Sequence, residues 1–121
     1  MTTDVTSSKP ADALAATLQR TEIQRRETSI PGRIVVQVRT EIPAGVSSGW
    51  HTHPGEEVGY IVQGSVQMEI EGSATLQLHA GDGFLIPPGV AHNATDLGPE
   101  VGQMLSTYLV TPDEPLASFT R

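Results

Sequence analysis

GVSSGWHTHPGEEVGYIVQG, residues 45–64, sets two of the chain's four histidines one residue apart and follows them with a Pro-Gly turn and two glutamates. In an extended strand, residues i and i+2 project to the same side about 6.6 Å apart. His51 and His53 therefore converge on one point while Thr52 faces away. Pro54-Gly55 breaks the strand and Glu57 opens the next, where alternation groups Glu57, Gly59 and Ile61 on one face and Val58, Tyr60 and Val62 on the other. A second stretch, GDGFLIPPGVAHN at 81–93, delivers His92, again just after a Pro-Gly turn. Three neutral imidazoles and one carboxylate form a donor set of intermediate hardness. It suits Fe(II), Mn(II), Co(II), Ni(II), Cu(II) or Zn(II) and serves Mg(II) or Ca(II) poorly. Four protein ligands on an octahedral ion leave two positions for water, substrate or oxygen, the arrangement of a catalytic site more than a structural one.

The neighbours of these four residues read differently. Glu56 points away from Glu57 on an extended backbone and is expected to be solvated. His79 falls with Gln77 on the polar side of an alternating strand, so it is not expected to be a ligand. Trp50, beside the first histidine, either lines the mouth of a pocket or simply packs.

Outward from the histidines the chain is a series of short apolar or alternating runs: IVVQV at 34–38, VGYIV at 58–62, VQMEI at 66–70, ATLQL at 74–78, GFLI at 83–86 and MLSTYLV at 104–110. Gly and Pro punctuate them at close intervals, which predicts an all-β sandwich or barrel. VQMEI and ATLQL flank Glu71-Gly72-Ser73 and predict a hairpin, with Val66, Met68 and Ile70 facing the core and Gln67 and Glu69 facing out. Residues 1–20 read as an N-terminal extension, with Leu14 and Leu18 spaced for one short helical turn, and 21–121 as the folded domain. IVVQV, if left unpaired, is an exposed edge that invites another chain. The expected assembly is thus a two-fold homodimer through the N-terminal strands.

Composition narrows the function. The chain of 121 residues has no cysteine, which removes disulfides, thiolate metal sites and cysteine nucleophiles and fits a reducing cytoplasm. No signal-peptide pattern and no membrane-length apolar run is present. Six of its seven basic residues precede position 40, and 41–120 holds ten of the fourteen acids with no Lys or Arg. That segment repels a phosphate backbone, so no nucleic-acid partner is expected and a small molecule is the expected substrate. An anionic substrate would lack a cationic clamp there unless Arg33, Arg39 or a partner chain reaches in.

The spacing Gly45, His51-x-His53, Glu57, Gly64 resembles the first motif of the cupin superfamily, and Gly81, Pro87-x-Gly89, His92 resembles the second. Where the family pattern has Asn four residues after the last histidine, this chain has Asp96, and Asn93 lies close to that place. The resemblance covers about residues 34–110. It implies a single-domain jelly-roll β-barrel with a divalent transition metal inside, held by His51, His53, Glu57 and His92. It further implies an enzyme resembling small quercetinase-like dioxygenases, with Glu57 moving between ligand and base. Metal-dependent isomerisation, decarboxylation or elimination is the alternative chemistry, and a non-catalytic ligand-binding barrel is the third reading. The lyase-like members place a tyrosine two residues after the glutamate, and here that position is Gly59. Gln37, Gln63, Gln103, Met104 and Tyr108 lie on strands that can line the barrel.

Overall fold

The computed structural model describes residues 12–121. After a single 3-10 turn at Ala13–Ala16 come ten strands: β1 Gln19–Glu27, β2 Ile34–Ile42, β3 His51–Thr52, β4 Glu56–Gln63, β5 Ser65–Ile70, β6 Leu76–His79, β7 Gly83–Ile86, β8 His92–Asp96, β9 Gly102–Val110 and β10 Ser118–Phe119. They form two five-stranded sheets, in the orders β1-β2-β9-β4-β7 and β10-β3-β8-β5-β6, antiparallel at every named pairing. The expected all-β jelly roll is the fold observed.

Alternation decides which residues are inside. On β5, Val66 and Met68 are buried while Ser65, Gln67 and Glu69 are half-buried on the outer side. The hairpin pairs Val66 with Leu78 and Gln67 with Gln77 across the predicted turn. On β4, Glu57, Gly59 and Ile61 are buried, and Val58, Tyr60 and Val62 are exposed. Gly45 and Gly64, which bracket the opening motif, have φ of 79° and 88°, a region that L side chains rarely adopt, so glycine is required there for the chain to turn.

Two apolar clusters fill the interior. One contains Leu18, Ile42, Ile61, Val66, Met68 and Ile86; the other contains Ile34, Val36, Val38, Tyr108, Val110 and Leu116. A polar layer lies between them, because the inward positions of the long strands change character midway. On β2 the order inside is Ile34, Val36, Val38, Thr40, Ile42; on β9 it is Met104, Ser106, Tyr108, all buried. Glu57 joins this layer from β4.

Two expectations about the N-terminal region change. IVVQV is not an edge: β2 is paired to β1 on one side and to β9 on the other. The outer strand is β1, whose sequence QRTEIQRRE lacks the alternation that marks a half-buried strand, and which bulges between Glu22 and Gln24. Residues 1–11 of the proposed extension lie outside the described residues. From Asp12 onward the extension packs on the barrel, with Leu14 and Leu18 buried and an isolated bridge from Asp12 to Ala117. β1 runs through the position 20/21 where the sequence texture changes.

Candidate metal centre

Four short segments meet in the polar layer. β3 is only two residues long because Pro54-Gly55 ends it, yet it is held from both sides: His51 pairs with His92 of β8 and with Phe119 of β10. That register sets the two imidazoles next to each other, with ring centroids 4.2 Å apart. His53, two residues on, brings its ring to 4.9 Å from His51 and 5.0 Å from His92. The turn before His92 is tied to the first motif by Gly89, whose N–H donates to the carbonyl of His53 at 2.9 Å. One nitrogen from each of the three rings lies within 4.8 Å of the others.

Each ring is oriented by the backbone. Nδ1–H of His51 donates to the Gly49 carbonyl at 2.6 Å, that of His53 to the Leu116 carbonyl at 2.7 Å, and that of His92 to the Val90 carbonyl at 2.9 Å. A carbonyl can only accept, so all three protons sit on Nδ1 and all three Nε2 lone pairs are available to the shared centre. Glu57 faces the same point with one oxygen. Its Oε1 is 3.1 Å from Nε2 of His53 and 3.2 Å from Nε2 of His92. Its Oε2 accepts from the Ser106 hydroxyl at 2.7 Å and from the Tyr108 hydroxyl at 3.2 Å. The two oxygens thus have separate tasks, one anchored by hydroxyls and one turned toward the histidines.

Nε2 lone pairs and a carboxylate oxygen in near contact repel unless a positive centre lies among them. A proton or a metal cation satisfies that requirement, and the donor set fits a divalent transition metal. Burial sharpens the point, since His51, His53 and Glu57 are each 3% exposed and His92 1%. His51 is pushed down to about 3 by burial and by the neighbouring His92 and His53, which keeps it neutral, the form that binds metal. For Glu57, burial alone raises the pKa, but when a proton is the positive centre shared with His53 and His92, their hydrogen bonds and charge outweigh burial and hold the carboxyl well below its ordinary range.

The other residues singled out in the sequence lie at different distances from this centre. His79 is exposed, with its side chain facing Asp82 at 3.7 Å, and Glu56 is half-buried on the opposite side of β4 from Glu57. Trp50 is held by the C-terminal segment: its carbonyl accepts from Thr120 N–H at 3.0 Å, and the Arg121 guanidinium sits 4.0 Å above its ring. Met104 and Tyr108 face inward as their strand register requires, whereas Gln37 bonds Gln24 and Thr107 on the outer surface. Gly59 is packed so closely under the Phe84 ring that an added Cβ would collide with it, so a tyrosine at that position requires the Phe84 ring to move.

Three contributors have no role assigned from the sequence, where Tyr108 is named only as a barrel-lining residue. Ser106 and Tyr108 anchor Glu57, and neither is distinguishable from an ordinary inward strand residue before β9 is registered against β4. The third is Arg20, buried on β1, which donates to the Tyr108 hydroxyl at 3.0 Å and the Thr40 hydroxyl at 2.8 Å and pairs with Asp12 at 2.9 Å. Arg20 thus sets a cation behind Tyr108, whereas Arg39 is exposed and Arg33 lines a separate cleft with Glu27 and Pro112. Burial and the charge of Glu57 both push the Tyr108 phenol up, so it stays protonated and keeps donating. A cleft of about 390 Å³, lined by Thr52, His53, Pro54, Pro88, Gly89 and Glu114 among others, reaches His53 from the surface.

A family model for the cupin domain matches residues 38–108, which include all four candidate ligands. The chain belongs to the cupin family. No curated protein matches this cupin by sequence. Its fold is similar to that of a Klebsiella pneumoniae protein with a double-stranded β-helix domain, with TM-score 0.63 and 21% identity over 86% of this chain and 84% of that one. It is also similar to the DMSP lyase DddQ from Ruegeria pomeroyi, with TM-score 0.72 and 19% identity over 94% of this chain and 57% of the lyase. An oxalate oxidase gives TM-score 0.64 and 23% identity over 78% of this cupin and 58% of the oxidase. At these identities the likeness concerns the fold, and this cupin spans little more than half the length of the lyase and the oxidase.

Proposed function

We propose that this cupin is a metal-dependent enzyme acting on a small molecule, with His51, His53, Glu57 and His92 as ligands and dioxygenase-type chemistry as the reaction. The observation that carries the proposal is the convergence of three Nε2 lone pairs and one carboxylate oxygen, each oriented by a second hydrogen bond, in a buried layer. When bound there, a divalent transition metal supplies Lewis acidity and, for redox-active ions, a place for oxygen and substrate to meet. The chain's own residues do the rest. The backbone carbonyls of Gly49, Val90 and Leu116 fix the imidazoles, Ser106 and Tyr108 hold Oε2 of Glu57, and Oε1 is the atom placed to accept a proton from a substrate. The two apolar clusters on either side exclude bulk water and strengthen every electrostatic interaction in the layer. The absence of cysteine fits a reducing cytoplasm as the compartment.

One observation favours the non-oxidative alternative. Tyr108 places a phenol against Glu57 and 4.6 Å from the His53 ring, so β9 supplies the tyrosine that Gly59 cannot. A phenol and carboxylate together can move a proton during an elimination or isomerisation. Oxidase and lyase are both named among the barrels that share this fold, so fold does not choose between them. Metal analysis of protein purified without added metal, followed by a substrate screen with and without oxygen, decides it. Turnover that requires oxygen supports the dioxygenase reading. Unchanged turnover under strict anaerobiosis replaces it with the alternative, and no turnover with any reconstituted metal leaves a binding barrel.

A further inference from the structure

The family match ends at residue 108, yet two of the three site histidines are supported from beyond it. Nδ1–H of His53 donates to the Leu116 carbonyl at 2.7 Å, a buried hydrogen bond. For His51 the link has one more step. Its Nδ1–H donates to the Gly49 carbonyl, and the Phe119 ring lies over Gly49, 3.1 Å from where a Cβ would stand. Phe119 also pairs with His51 itself, and Ser118 with Thr52, in the two-residue ladder of β10 on β3. His92 takes its acceptor, the Val90 carbonyl, from its own turn.

Residues 111–121 are themselves held at a few points. Leu116 and Ala117 are buried, and Leu116 packs in the apolar cluster of Val36 and Tyr108. The Ala117 carbonyl accepts from Ala13 N–H at 3.3 Å, and Thr120 N–H donates to the Trp50 carbonyl at 3.0 Å. On either side of this buried pair, 112–115 and 118–121 are exposed. A segment with so little buried surface opens at a lower free energy than the strands at the centre of a sheet. While it is open, Nδ1 of His53 has no carbonyl to fix its proton. A proton that moves to Nε2 removes the lone pair facing the centre. The same segment supplies Glu114, Pro115 and Ser118 to the cleft that reaches His53, so the way in and the orientation of a ligand share one element.

We propose that Leu116 is a positioning residue of the metal centre, acting through its backbone carbonyl on His53, and that residues 111–121 dock more firmly when the centre is filled. The proposal rests on the metal-site reading of the three histidines and Glu57. Coupling of this kind is reciprocal: the factor by which docking raises metal affinity is the factor by which metal favours docking. An acceptor behind a ligating imidazole is typically worth about 10- to 100-fold in affinity. The test is hydrogen exchange of the full chain, metal-free and saturated with Zn(II), with saturation established by calorimetry. The Thr120 amide is expected to exchange about 10- to 100-fold more slowly with Zn(II) bound. A segment with a structural role alone would open equally often in both states. A chain ending at Thr111 gives a second measurement: its Zn(II) affinity is expected to be at least about 10-fold below that of the parent, with a cooperative urea melt retained. If that chain does not fold, the exchange of the full chain decides alone. Unchanged Thr120 exchange in a protein that binds Zn(II) overturns the proposal and leaves the metal site standing. A full chain that binds no Zn(II) overturns the metal reading, and this proposal with it.

Discussion

Glu57 and Asp96 are both buried carboxyls of the same barrel, 3% and 0% exposed, and the chain treats them in opposite ways. Glu57 has four polar partners: two imidazoles on one oxygen and two hydroxyls on the other. Asp96 has none among the side chains. The backbone N–H groups of Gly98 and Gly102 favour its charged form, yet neither of its buried oxygens has a hydrogen-bond partner among the described residues. The pKa directions follow. Glu57 is held down by its partners against the effect of burial, while burial pushes Asp96 up. β8 carries both outcomes within five residues, since His92 opens it at the candidate metal centre and Asp96 closes it at the other end. A buried acid with an organised shell is an investment in binding a cation; a buried acid without one is a cost carried by the fold.

The largest expected effect breaks the organised side. Glu57→Gln keeps the shape and removes the charge, so divalent-metal affinity should fall by at least about 100-fold, more than the loss of an outer-shell partner costs. Competition against a chelating dye measures it, and an unchanged affinity would remove Glu57 from the ligand set.

Acid should act next most strongly on the metal-free protein. His51 is pushed down to about 3 in the folded state, while an unfolded histidine takes its proton near 6.5. Between those values the unfolded chain binds the extra proton, so stability falls as pH drops from about 6.5 toward 3, by about 5 kcal/mol at most. Asp96 works in the opposite sense, because its raised pKa lets the folded state take up a proton first and gain relative stability as pH falls. Urea melts at stepped pH values read the sum. A flat midpoint from pH 7.5 to pH 4 in an Asp96→Asn background, where the opposing group is gone, would contradict the buried neutral imidazole.

Removing a hydroxyl from behind Glu57 is a smaller perturbation. Ser106→Ala deletes the 2.7 Å hydrogen bond to Oε2 and should weaken metal binding about 10- to 100-fold with the fold intact. Full affinity in that variant would mean that the hydroxyl does not orient the carboxylate. The smallest effect sharpens the other side: Asp96→Asn removes an unpartnered charge, so the melting temperature should rise by a few degrees at pH 7, with metal affinity untouched. A lower melting temperature would show that Asp96 has a stabilising partner after all.

Much of this comparison was legible in the sequence, for a physical reason. Candidate metal ligands and apolar alternation are local signals: His-x-His on an extended backbone, a carboxylate after a Pro-Gly break, Val66 and Met68 two apart. The residues that anchor Glu57 depend on register between strands some fifty positions apart, and Ser106 and Tyr108 meet it only once β9 is aligned with β4. β8, HNATD, shows no apolar alternation because two of its inward positions are His92 and Asp96. β1 was hidden by its charges, and with it Arg20, whose burial beside Tyr108 depends on Asp12 arriving from the segment before it. Asp96 was visible as a departure from the family pattern, but its lack of a partner was not.

The most direct test of the central claim, one ion held by three histidines and a glutamate, is a metal titration followed by calorimetry across His51→Ala, His53→Ala, His92→Ala, His79→Ala and Glu56→Ala. The three site histidines each supply an Nε2 to the same point, so each of their replacements should lower affinity by orders of magnitude and stop the melting temperature from responding to added metal. His79 and Glu56 lie outside the centre, and their replacements should match the parent. A His92→Ala protein that binds as tightly as the parent, or a His79→Ala protein that no longer binds, would contradict the account.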